Sequence, residues 1–124
     1  MTQSPKTLTE VDLAQFTGTS MYYQHLLGVQ YTDGVHFLAE RGEAYWLIDA
    51  IASWQSDPRV NQDPMLQQIQ FWKLIVNDDQ SALLVCERDE GDIAVRQEIP
   101  FTDFPLKCIT LYLQQGVLLL PSEY

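Results

Sequence analysis

The chain has 124 residues, the size of one ordinary domain, and 46% of them are hydrophobic. It can therefore bury a core without disulfides or a metal, and its composition argues against an intrinsically disordered chain. Seventeen acidic residues against seven basic ones give a net charge of −10, which opposes docking on nucleic-acid backbones and on anionic lipid but leaves room for a basic protein partner.

Residues 1 to 7 are expected to fray. They lack the apolar stretch of a secretory signal, and no later run nears the roughly 20 apolar residues of a membrane span, so the expected location is the cytoplasm. Thr9 followed by Asp12 is a weak capping box, opening a short helix through Val11, Leu13, Ala14 and Phe16 that ends near Gly18. Residues 19 to 30 fit neither the helical nor the strand period. Thr32-Asp33-Gly34 starts a second helix, with Val35, Leu38 and Ala39 as its apolar face and Gly42 as its stop. Ala44 to Gln55, AYWLIDAIASWQ, is apolar on almost every side except the strip Tyr45, Asp49 and Ser53, which predicts a central core helix. The polar SDPRVNQDP that follows, with two prolines, reads as a loop.

From Gln68 the period changes to two. Gln68–Val76, Ser81–Glu87 and Asp92–Ile99 read as strands joined by the turns NDDQ and RDEGD. After the loop PFTDFP, Ile109–Gln114 and Val117–Leu120 form a final pair around Gln115-Gly116. The expected fold is a single α+β domain over residues 1 to 124, with N-terminal helices packed on one face of a C-terminal antiparallel β-meander of about five strands.

Chemistry-bearing residues are few. Asp33 and His36, spaced i, i+3, could pair a carboxylate with an imidazole, as a general base requires; the plainer reading is a helix-dipole Asp and a surface His. Asp49 would need partners if buried, whereas its strip could equally face solvent. No metal motif joins His25 to His36, Cys86 and Cys108 form no CxxC, and neither a nucleophile elbow nor a phosphate loop is present, so no cofactor is expected. Cys86, inside ALLVC, suits a buried thiol.

Five segments carry a resemblance: FTGTSMYY, YTDGVHFLAE, AYWLIDAIASWQ, RQEIPFTDFPL and GVLLLPSEY. Together they resemble an uncharacterised family of short bacterial, largely cyanobacterial, proteins of unknown function. The resemblance implies a bacterial, cytoplasmic, single-domain protein and brings no catalytic residues. The sequence thus points to a non-enzymatic acidic accessory or interaction protein, a homodimer pairing through the apolar strand Val117–Leu120, with a basic protein as partner. The alternative is a small-molecule-binding protein or enzyme whose pocket, between helices and sheet, is lined by Tyr31, Asp33, His36, Tyr45 and Asp49. Convergence of those side chains on one concave site separates the two.

Overall fold

The computed structural model describes residues 8 to 124; the expected fraying of residues 1 to 7 lies outside them. In chain order the elements are α1 (Glu10–Ala14), β1 (Tyr22–Gln24), β2 (Gln30–Thr32), α2 (Asp33–Gly42), α3 (Tyr45–Trp54), α4 (Pro58–Asn61), α5 (Pro64–Gln68), β3 (Ile69–Val76), β4 (Ala82–Asp89), β5 (Asp92–Ile99), β6 (Cys108–Gln114), β7 (Val117–Leu119) and a 3₁₀ turn (Pro121–Glu123). No helix among the described residues is long and apolar enough to cross a membrane.

The fold class is α+β as expected, but the sheet has seven strands rather than five, in the order β1-β2-β7-β6-β3-β4-β5. Only β3-β4-β5 is a meander. β6 lies against β3, not β5, because the segment between Ile99 and Cys108 is long enough to pass round the β3–β4 turn. It is held there at two points: the Thr102 N–H donates to Gln80 O, and the Val76 N–H donates to Lys107 O. The ambiguous residues 19 to 30 supply the two extra strands. β1 and β2 form a hairpin, and β2 runs parallel to β7, which makes the sheet mixed.

That pairing corrects another expectation. β7 lies between β2 and β6, so Val117–Leu120 offers no free edge to a second copy; among the described residues the sheet's edges are β1 and β5.

Alternation along the strands sends one set of side chains to the helices. Trp72 faces Cys86 and Leu111 across the ladder, Cys86 faces Val95, and Leu113 faces Leu118. All are buried in one cluster with Val35 and Leu38 of α2 and Leu47, Ile48 and Ile51 of α3. Ile93 does not share a face with Val95, Gln97 and Ile99, although strict two-residue alternation would place it there. A bulge sets Cys86 opposite Val95 but Glu87 opposite Ile93, which turns Ile93 to the other face, 45% exposed.

The helix starts follow local chemistry. Thr9 and Asp12 form the expected capping box, and the Thr32 hydroxyl accepts from Val35 N–H. α1 stops at Ala14, short of Gly18. Gly42 is not the left-handed stop: it ends α2 in helical geometry, and Glu43 takes φ +50°. What Gly42 supplies is room, since an added Cβ would lie 3.0 Å from the Phe104 ring. The expected loop over residues 56 to 64 contains α4 and the start of α5, which runs on through Gln68, the expected start of the strand; each helix is opened by an Asp N-cap (Asp57, Asp63) and a proline in the first turn.

α3 is less buried than its composition suggests. Leu47, Ile48, Ile51 and Ala52 enter the core, Asp49 and Ser53 face solvent, and Trp46 and Ala50 are half-buried on its flank. One buried polar group is fully bonded. Gln70 and Gln55 exchange amide hydrogen bonds of 2.8 and 2.9 Å, and the Trp72 indole N–H donates to Gln70 Oε1 at 2.8 Å.

Candidate functional site

The β1–β2 hairpin brings aromatic rings onto α2. Tyr23 and Tyr31 are cross-strand partners with stacked rings, centroids 5.4 Å apart, and His36 stacks on Tyr23 at 4.1 Å and 6° between planes. Tyr45, at the start of α3, meets His36 edge-on at 6.4 Å and donates its hydroxyl to Glu40 Oε2 at 2.5 Å. Burial raises the pKa of Tyr45, and the Glu40 bond adds to it; burial also raises that of Tyr31, helped by the nearby Tyr23, Asp49 and Glu40. Tyr31, His36 and Tyr45 are thus neighbours, and Tyr23 and Glu40 complete the group.

The two aspartates sit apart from that stack. Asp33 Oδ2 accepts from the Ser20 backbone N–H at 3.0 Å and the Ser20 hydroxyl at 3.1 Å, while the Asp33 N–H donates to the Thr19 hydroxyl. The Ser20 backbone bond is the main cause holding the Asp33 carboxyl below the usual range. Asp33 therefore fastens residues 19 and 20 to the start of α2, and His36 is engaged by Tyr23 instead. The Asp49 side chain is 69% exposed and pairs with His25, whose Nε2 lies 2.6 Å from Asp49 Oδ1. His25 Nδ1 accepts from the Leu27 N–H at 3.0 Å, so the ring proton is on Nε2 and is donated to Asp49. Spacing gave no sign of this pair, because the partners are 24 positions apart.

The pair lines an open cleft of about 550 Å³ between the hairpin tip, α3 and β5. Leu26 and Leu27 of the hairpin tip, Trp46 and Ala50 of α3, and Gln97 and Ile99 of β5 line it. Of the five candidate residues, Asp49 alone lines it. Within it the Ser53 hydroxyl donates to Ala50 O, and Gln97 Oε1 accepts from the Trp54 indole N–H. His25 thus has both ring nitrogens engaged within the fold, and the Ser53 hydroxyl is bonded back to its own helix. Among the described residues no three His, Cys, Asp or Glu side chains gather to hold a metal.

The model of DUF6876, a family of unknown function, matches residues 7 to 124. The chain belongs to that family. No curated protein and no solved structure matches the chain. Family membership brings no assigned reaction or ligand, so the chemistry of the cleft carries the functional argument.

Proposed function

We propose that this chain is a non-enzymatic accessory protein of the bacterial cytoplasm that acts through protein–protein contacts, with the cleft as its docking surface. The observation that carries the reading is the hairpin tip. Leu26 is 94% exposed and Leu27 63%, and both stand beside the half-buried Trp46, Ala50 and Ile99. Single exposed leucines are ordinary, but a run of them along a groove is a docking feature. The net charge of −10 favours a basic partner. Self-association by strand pairing would have to use β1 or β5, the edges of the sheet among the described residues.

Native mass spectrometry of the gently purified protein tests this. A stoichiometric protein complex that the Leu26→Asp, Leu27→Asp double variant no longer forms is the expected result. A stoichiometric small molecule, lost in the same variant, would overturn the reading in favour of a ligand pocket.

A further inference from the structure

The hairpin tip is tied to α3 through one imidazole ring. Its backbone closes on itself, the Gly28 N–H donating to His25 O and the His25 N–H to Val29 O. The Leu27 N–H goes elsewhere, to His25 Nδ1 at 3.0 Å. On the ring's other edge, Nε2 donates to Asp49 Oδ1 at 2.6 Å. One side chain thus accepts from the tip and donates to the helix, and it does both only as the neutral ring with its proton on Nε2.

Histidine is the side chain whose charge ordinarily changes between about pH 5 and 8. A second proton goes to Nδ1 and turns that acceptor into a donor aimed at the Leu27 N–H. The ring has little freedom to avoid the conflict: its side chain is 14% exposed, and turning it over would carry Nε2 away from Asp49. Asp49 attracts the positive ring, since it is the only carboxylate lining the cleft and no Lys or Arg lines it. The other side chains that β5 and α3 turn into the cleft, Gln97 and Ser53 among them, are uncharged. Tyr31 of β2, whose raised pKa keeps it neutral in this range, stands within electrostatic reach of Asp49 and of Glu40 on α2. Protonation therefore keeps the tie to α3, as an ion pair, and gives up the bond that shapes the tip. Leu27 is 63% exposed, so water takes its N–H.

We propose that the hairpin tip is a proton-operated element: neutral His25 holds Leu26 and Leu27 in place along the cleft, and protonated His25 releases the Leu27 N–H and loosens both leucines while Asp49 keeps its hold on the ring. The docking face is then formed at and above neutral pH and loosened in mild acid. The inference rests on the interaction reading above only in treating the tip as a docking surface. The proton-linked turn belongs to the chain itself and is measured there, so its failure and the absence of a partner are separate results.

The test is an NMR titration of the full, isotope-labelled chain from about pH 8 to about pH 5, with His36, stacked on Tyr23, as the internal comparison. At the alkaline end the His25 ring should carry its proton on Nε2. As it takes the second proton, the Leu27 amide resonance should move with the same midpoint. Hydrogen exchange of that amide, corrected for the intrinsic effect of pH, should speed about two- to tenfold, the worth of one hydrogen bond. His25→Asn puts an amide oxygen where Nδ1 stands and does not titrate, so the Leu27 amide should then hold its position throughout. A Leu27 amide that stays put while His25 titrates would overturn the proposal. So would one that follows His36 instead, or one that still moves in His25→Asn. A His25 ring that carries its proton on Nδ1, or stays neutral down to about pH 5, would overturn it as well. All but the His25→Asn result are read on the natural chain and hold whether or not that variant folds.

Discussion

Replacing Gln70 with Leu tests whether the buried amide pair organises the contact between α3 and the sheet. Gln70 is 4% exposed and Trp72 1%, so neither can turn to water when the pair is broken. Leu fills a similar volume, and the change is chiefly one of hydrogen bonding. It removes the acceptor of the Trp72 indole N–H, the donor that Gln70 Nε2 gives to Leu66 O, and both bonds to Gln55. A buried donor left without a partner costs about 1–3 kcal/mol. The Leu66 carbonyl adds to this, while Gln55, half-buried, keeps its bond to Ile51 O and reaches solvent. The expected loss is about 2–4 kcal/mol, a large part of the roughly 5–15 kcal/mol that holds a domain together. Urea unfolding followed by tryptophan fluorescence should show the midpoint falling by about 1–2 M with the slope unchanged. A double-mutant cycle with Trp72→Phe isolates the bond from the cavity that Phe leaves. If Gln70→Leu costs less than about 0.5 kcal/mol, or the cycle is additive, the amide pair does not hold this contact.

Gly34→Ala is expected to destabilise by about 1–3 kcal/mol despite the better helix propensity of alanine. Its Cβ would fall 2.6 Å from Leu120 Cδ1 and 2.8 Å from the Glu123 carboxyl, whereas Gly18→Ala, with nothing within 4 Å, should leave the melting temperature almost unchanged. Groups whose folded pKa is raised weigh on the alkaline limb of stability, among them Tyr31 and Tyr45, and Cys86, which burial pushes up to about 12. Their contribution is complete below their unfolded values, near 9 for the thiol and 10 for the phenols, and is lost as pH rises through the folded ones. Unfolding free energy measured between pH 8 and 11 should therefore fall, and Tyr45→Phe should flatten that fall; an unchanged slope would mean that Tyr45 ionises normally in the fold.

Much of this fold was legible because its signals are local. Thr32 before Asp33 marks the start of α2, and Thr9 with Asp12 marks α1. In β3 the alternation of Trp72 and Leu74 with Phe71 and Lys73 appears directly as buried and half-buried positions. The Asp57-Pro58 and Asp63-Pro64 pairs were equally local, and treating their prolines as breakers hid two short helices. Other features have no local signal. β1 and β2 are three residues each; β1 is a strand only through β2, and β2 pairs with β7, far along the chain. Nothing in β6 says that its neighbour is β3, because that depends on where the preceding segment is tethered. The site divides in the same way. Tyr31, His36 and Tyr45 lie close in sequence and meet, whereas the partners of Asp33 and Asp49, Ser20 and His25, come from residues 19 to 30, which showed no period.

The carboxylate of Glu123 has a consequence for the order of assembly. It accepts from the Thr32 hydroxyl at 2.6 Å, across 91 positions, and from the Gly34 N–H at the start of α2. The parallel β2–β7 pair closes almost the same loop. Contacts of such span reward the chain only after their loop entropy has been met. The β3-β4-β5 meander, closed by short turns, can form while these are still open. The β1–β2 hairpin is equally local, but its seating on β7 and the Glu123 bonds to α2 need the chain to be made through residue 123.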